Sequence, residues 1–175
     1  MGVQGGGCAG GRGVTRLAPM LGRTIRLYLV DGSPTGPLVA EISNWTGKVL
    51  VAPRSRLADI VKREELGKTG VYLLIGPDPE KPGRDRVYIG EADCVKARLA
   101  HHDRDQSKDF WERTVVFVSK DENLTKAHGR YLESRLIEIA KAAGRAVLVN
   151  GTAPPRPALR PSCGPCCTTI SASAS

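Results

Sequence analysis

An α+β domain, with a small and mostly antiparallel sheet flanked by helices, is the fold class this sequence predicts. Three observations carry the prediction. Between residues 23 and 150, short apolar runs of strand period are interspersed with stretches of helical period. Clusters of Gly, Pro, Asp and Asn punctuate them at short intervals. From Gly70 onward the elements read β-β-α-β-α-β, and a small β-rich module precedes them.

Each element has its own signal. Thr24–Val30 alternates as a strand, Asp31–Gly36 is dense in turn residues, and Leu38–Ile42 reads as a second strand. Val49–Val51 is a short apolar run. Ser55 is the expected N-cap of a helix to about Glu65, with Leu57, Ile60 and Val61 on one face and Gly67 as its stop. Gly70–Gly76 and Arg86–Gly90 are two strands of a hairpin joined by the loop Pro77–Asp85. Asp93 is the expected cap of a helix to about His102, and Arg113–Ser119 the next strand. Asn123 is the expected cap of the longest helix, to about Ala143, with Leu132, Leu136, Ile139 and Ala143 at helical spacing. Gly144 stops it, and Ala146–Val149 closes the domain.

Composition sets the outer bounds. At 175 residues the chain suffices for one ordinary domain. No apolar run approaches the roughly 20 residues needed to cross a bilayer. Seven glycines fall within Met1–Gly13, which does not read as a secretory leader. The four divisions expected are a Gly-rich disordered extension (1–22), an N-terminal hairpin and helix module (23–68), a main domain (69–151) and a disordered tail (152–175). Met20 is a natural start for the patterned region, and the tail reads as truncated or out of frame. The formal charge is +8. Half of that excess sits in the ends, as Arg12, Arg16, Arg156 and Arg160 with no acid among them. A mildly basic centre suits a polyanionic partner. Of the five cysteines only Cys94 lies outside the ends, which points to a reducing cytoplasm rather than a disulfide scaffold. Cys163, Cys166 and Cys167 lack the further ligands that a zinc site needs.

The residues that bear chemistry follow in a defined order. Tyr72 and Tyr88 fall on the two hairpin strands, each with an apolar ring and a phenol. Arg98 and His102, four apart on one helix, face the same way, and arginine grips phosphate oxygens bidentately at any working pH. His101 is an adjacent alternative for the histidine. Glu133 lies at the edge of the apolar stripe shared by Ile137 and Ala140. A carboxylate there is neutral, paired or metal-bound. The bland outcome is a pair with Arg130 or Arg135; the functional one is a hard divalent cation. Asn150 ends the last strand.

Gly70-Val71-Tyr72, with Val87-Tyr88-Ile89-Gly90 after it, resembles the two-part signature of the GIY-YIG nuclease superfamily. The order of Arg98, His102, Glu133 and Asn150 behind it resembles the same family, over about Thr69–Gly151. The segment Arg23–Asn150, with Asn44–Lys48, also looks like bacterial members of unassigned role. The resemblance implies the GIY-YIG-like form of the fold and a metal-dependent endonuclease that hydrolyses DNA phosphodiesters. Glu133 would hold Mg²⁺ or Mn²⁺, and Arg98 would stabilise the phosphoryl centre. Tyr72, in preference to Tyr88, would be the general base, while His102 would assist proton transfer or orient a tyrosine. Gly90 and Asn150 would support the site. Lys48, Arg54, Arg56 and Lys108 are the candidate nucleic-acid contacts, with Lys62 and Arg63 in the same basic cluster. The runner-up is a catalytically silent nucleic-acid-binding module that retains the fold, and RNA is an alternative substrate. Phe110 and Trp111 are expected in the core.

Overall fold

A computed structural model describes residues 22–121 and 123–150. The predicted disordered ends, with Cys8, Cys163, Cys166 and Cys167, lie outside these residues except for Gly22.

Seven strands form one sheet: β1 (Ile25–Leu29), β2 (Leu38–Ile42), β3 (Gly47–Pro53), β4 (Gly70–Pro77), β5 (Asp85–Ala92), β6 (Arg113–Ser119) and β7 (Ala146–Leu148). Three helices accompany them: α1 (Leu57–Ile60), α2 (Val95–Arg104) and α3 (Lys126–Ala143). The strand order is β1-β2-β3-β6-β4-β5-β7. Every pair is antiparallel except β5 with β7. The α+β class and the β-β-α-β-α-β order therefore hold. The sheet is larger than the sequence suggests, because β3 pairs along its whole length with β6 and brings the first three strands into the main sheet.

Pleating separates the two faces. One row of partners crosses the sheet as Val39, Leu50, Val116, Tyr72 and Gly90. On this face Leu57 and Ile60 of α1 and Val95 and Leu99 of α2 complete an apolar cluster that also holds Trp111. The opposite face carries Val71, Val87 and Ile89, covered by Ile137, Leu132, Leu136 and Ala140 of α3. Trp111 is core as expected, and the Arg54 guanidinium stacks on its ring at 4.9 Å. Phe110 is partly buried against the same cluster.

Several expectations need correction. Instead of one helix from Ser55 to Glu65, a 3-10 turn at Arg54–Arg56 leads into the single α-turn of α1, and a second 3-10 turn follows at Glu64–Gly67. Ser55 caps nothing there. Cys94, with no side-chain bond, is the N-cap of α2 rather than Asp93. Thr125 caps α3 rather than Asn123: its hydroxyl accepts from the His128 amide, and the His128 side chain answers the Thr125 amide. Histidine at the third position conceals this capping box from a search for Glu or Gln. Ile139 is 43% exposed and Ala143 is exposed too, so α3 turns Ala140 inward instead. Gly144 ends α3 with a φ of 60°, as the sequence implies.

Candidate active site

The site is built over the β4–β5 hairpin. Tyr72 and Gly90 are cross-strand partners, and a Cβ at Gly90 would stand 2.5 Å from the Tyr72 hydroxyl oxygen. The missing side chain is what lets the phenol lie across β5. Tyr88, two residues before Gly90, faces the same way, with its ring centroid 6.2 Å from that of Tyr72.

α2 buries Val95 and Leu99 against this face, and the same stripe carries His102 inward. His102 is only 1% exposed. Its Nε2 lies 2.7 Å from the Tyr72 hydroxyl, and its ring stands 5.4 Å from Tyr88, nearly edge-on. Burial, with the positive charges of Lys108 and Arg98, lowers the imidazole to about 4. The ring is therefore neutral at ordinary pH. The neighbouring His101 is exposed, which decides between the two histidines.

Arg98, one turn earlier on α2, is exposed and makes no ion pair among the described residues. Its guanidinium interacts with the Tyr72 hydroxyl and also feels the charge of Glu91. Burial raises the Tyr72 phenol above its usual range and Tyr88 adds to the rise, while Arg98 opposes both. In the free chain Tyr72 is a neutral phenol.

Glu133 comes from α3. Burial raises its carboxyl, Glu91 raises it further, and Arg130 and Arg98 work against them. The bland pairing does not occur: Arg130 lies 3.6 Å from Glu91, and Arg135 pairs with Glu138 at 3.2 Å. Glu91 is a further acid at this candidate site, beyond those the sequence points to. One of its carboxylate oxygens is buried with no hydrogen-bond partner among the described residues. Its position directly after Tyr88-Ile89-Gly90 was the available signal. α3 approaches closely here through Gly129, where a Cβ would be 3.6 Å from that of Glu91.

No protein-family profile matches this chain, and neither a curated protein nor a solved structure matches it.

Asn150 supports the site from outside. Its side-chain oxygen accepts from the Ile89 amide at 2.9 Å, and its amide nitrogen donates to the Ile89 carbonyl at 2.6 Å. Together with the Val149 amide, which donates to the Val87 carbonyl, it continues the pairing of β5 past the end of β7, beside Tyr88 and Gly90. Lys108 enters the site itself, with Nζ 4.0 Å above the Tyr88 ring centroid and 3.2 Å from His102 Nδ1.

The remaining basic candidates are not gathered there. Lys48 lies between Glu41 and Glu65, at 3.3 and 3.1 Å. Arg54 binds Asp103 and Asp109, at 2.9 and 2.7 Å, and Arg56 binds Asp59 at 2.9 Å. Lys62 and Arg63 are likewise paired with Asp59 and Glu65. The cluster that looked like a polyanion grip in the sequence is largely internally neutralised in the fold.

Proposed function

We propose that this chain is a metal-dependent endonuclease that hydrolyses DNA phosphodiester bonds. The observation that carries the reading is the contact of the buried Tyr72 hydroxyl with His102, beside an exposed arginine whose charge also reaches Glu133. The Tyr72 hydroxyl touches His102 and is influenced by Arg98, which in turn acts on Glu133. A phenol, an exposed guanidinium and a carboxylate that makes no ion pair among the described residues are the parts that phosphoryl transfer requires: a proton acceptor, a charge for the phosphoryl oxygens and a metal ligand.

The donor set suits Mg²⁺ or Mn²⁺. Such a cation is held by one or two carboxylates and completed by waters and substrate phosphate. Glu133 would supply the first, with the unpartnered buried oxygen of Glu91 beside it. Among the described residues no cluster of three or more His, Cys, Asp or Glu forms, so a cage made wholly of protein is not the arrangement. When bound, the cation neutralises charge on the phosphate and the leaving oxygen. Arg98 grips a non-bridging phosphate oxygen, and Tyr72, once it has lost its own proton to solvent, accepts as the phenolate the proton of the attacking water, with Tyr88 alongside. His102 keeps Tyr72 oriented. The exposed cations of α2 that have no carboxylate partner among the described residues, Lys96, Arg98 and Arg104, would receive the DNA backbone.

Cleavage of branched, linear duplex and single-stranded DNA tests the reading, with Mg²⁺, Mn²⁺ or chelator, for the wild type and Glu133→Ala. Metal-dependent cutting that vanishes in the variant is expected. Absence of cutting by the wild type, with salt-sensitive DNA binding intact, would overturn it in favour of a silent binding module. RNA in the same panel determines the sugar preference.

A further inference from the structure

We propose that Lys108 is a positioning residue: it fixes the proton of the His102 ring on Nε2 and so presents an N–H, not a lone pair, to the Tyr72 hydroxyl. The argument is one of donors and acceptors. A lysine ammonium has three donors and no acceptor. With Nζ 3.2 Å from Nδ1, that nitrogen must offer its lone pair. A neutral imidazole carries one hydrogen, which is then on Nε2, 2.7 Å from the Tyr72 oxygen. His102 therefore donates and the phenol oxygen accepts.

The consequence falls on Tyr72. In the other tautomer its O–H would be spent on Nε2. In this one its hydrogen is free to turn elsewhere, and its oxygen already accepts from His102 Nε2–H and feels the positive charge of Arg98, both of which favour a phenolate. Lys108 is itself held in place. Asp105 accepts from the amide and hydroxyl of Ser107, at 3.0 and 2.6 Å, and caps the 3-10 turn Gln106–Lys108. The Lys108 amide closes that turn on the Asp105 carbonyl at 3.0 Å. The ammonium also rests on the Tyr88 face, a cation–π contact that lysine and arginine both make. The charged groups that act on His102 are Lys108, Arg98 and His101 on the positive side and Asp105 on the negative, with the phenols of Tyr72 and Tyr88 completing its surroundings.

The tautomer assignment stands on geometry alone; its catalytic meaning rests on the hydrolytic reading above. Nitrogen NMR of the full chain separates the two. The double variant His101→Gln/His128→Gln leaves His102 as the sole histidine, and glutamine preserves the capping box of α3. Long-range proton–nitrogen spectra at pH 7.5 are expected to show bare Nδ1 and protonated Nε2. Adding Lys108→Met is expected to shift the population toward Nδ1–H, and adding Lys108→Arg to restore Nε2–H. A proton on Nδ1 with Lys108 present overturns the proposal, as does an unchanged tautomer in Lys108→Met. In cleavage assays on the wild-type background, Lys108→Met is expected to lower kcat by about tenfold, the scale seen for partners that orient a histidine, with KM for DNA little changed. A rise in KM alone would mean that Lys108 only holds DNA, and would overturn the positioning role. Nε2–H with no cutting by the wild type supports the tautomer and removes the nuclease reading.

Discussion

A methyl group at Gly90 would stand 2.5 Å from the Tyr72 hydroxyl oxygen and 2.7 Å from its Cζ. The ring is fully buried and cannot retreat without unseating its neighbours. Gly90→Ala is therefore expected to cost about 1–3 kcal/mol in urea unfolding and to abolish cutting by moving the phenol off His102. Wild-type cleavage by that variant would show that the Tyr72 position is irrelevant to the reaction. His102 yields a pH prediction. Its folded pKa, about 4, lies below the unfolded value of about 6.5, so the unfolded chain binds the extra proton between them. This contribution to stability is complete above about pH 6.5 and is lost as the pH falls toward 4. Unfolding of His102→Gln should accordingly depend less on pH over that window than unfolding of the wild type. For Tyr72, whose pKa is raised, the cleavage rate should climb with pH between about 6 and 9, and the slope should flatten in Tyr72→Phe.

Elements differ in how firmly they are held. Asn150 bonds both backbone groups of Ile89, so Asn150→Ala strips two partners from the strand that carries Tyr88 and Gly90. A loss of about 1–3 kcal/mol is expected, with faster hydrogen exchange at the Ile89 amide as its local signature. β1 is the opposite case. Leu27 is 67% exposed on the outermost strand, and Leu27→Ala should change stability by no more than about 0.5 kcal/mol. Leu74→Ala, at a fully buried position of β4, should cost about 2–5 kcal/mol. Strand positions were legible because alternation and turn residues are local. Caps were not: Ser55, Asp93 and Asn123 all have the right chemistry, yet packing decides which residue first turns helical. The three were displaced by the 3-10 start at Arg54, by Cys94 and by Thr125.

At the scale of the whole molecule, the pairing of β3 with β6 makes residues 23–68 part of the sheet. They contribute Val39, Leu50, Ala52, Leu57, Ile60 and Leu66 to the cluster beneath Tyr72. The fragment 69–151 would lose that packing and expose the open edge of β6. It is expected to lack the dispersed amide spectrum of the full chain. A well-dispersed spectrum from the fragment would instead establish an autonomous domain. The joined sheet also explains the fate of the basic cluster. Lys48 on β3 faces Glu41 on β2, and Arg54 at the end of β3 reaches Asp103 and Asp109 from α2 and the loop after it.

Local patterns along the chain suffice for the α+β class, the β-β-α-β-α-β order, the hairpin that carries both tyrosines and the shared helix face of Arg98 and His102. These rest on period, turn chemistry and spacing, which are properties of neighbours along the chain. It takes the packed fold to show that the N-terminal strands enter the same sheet, that His102 rather than His101 meets Tyr72, that Lys108 lies against the imidazole, and that the charge of Glu91 acts on Glu133. The strand pairing and the approaches of Tyr72 to His102 and of Glu91 to Glu133 join residues tens of positions apart, while Lys108, 6 residues from His102, is brought back by the turn after α2; no periodic pattern encodes either.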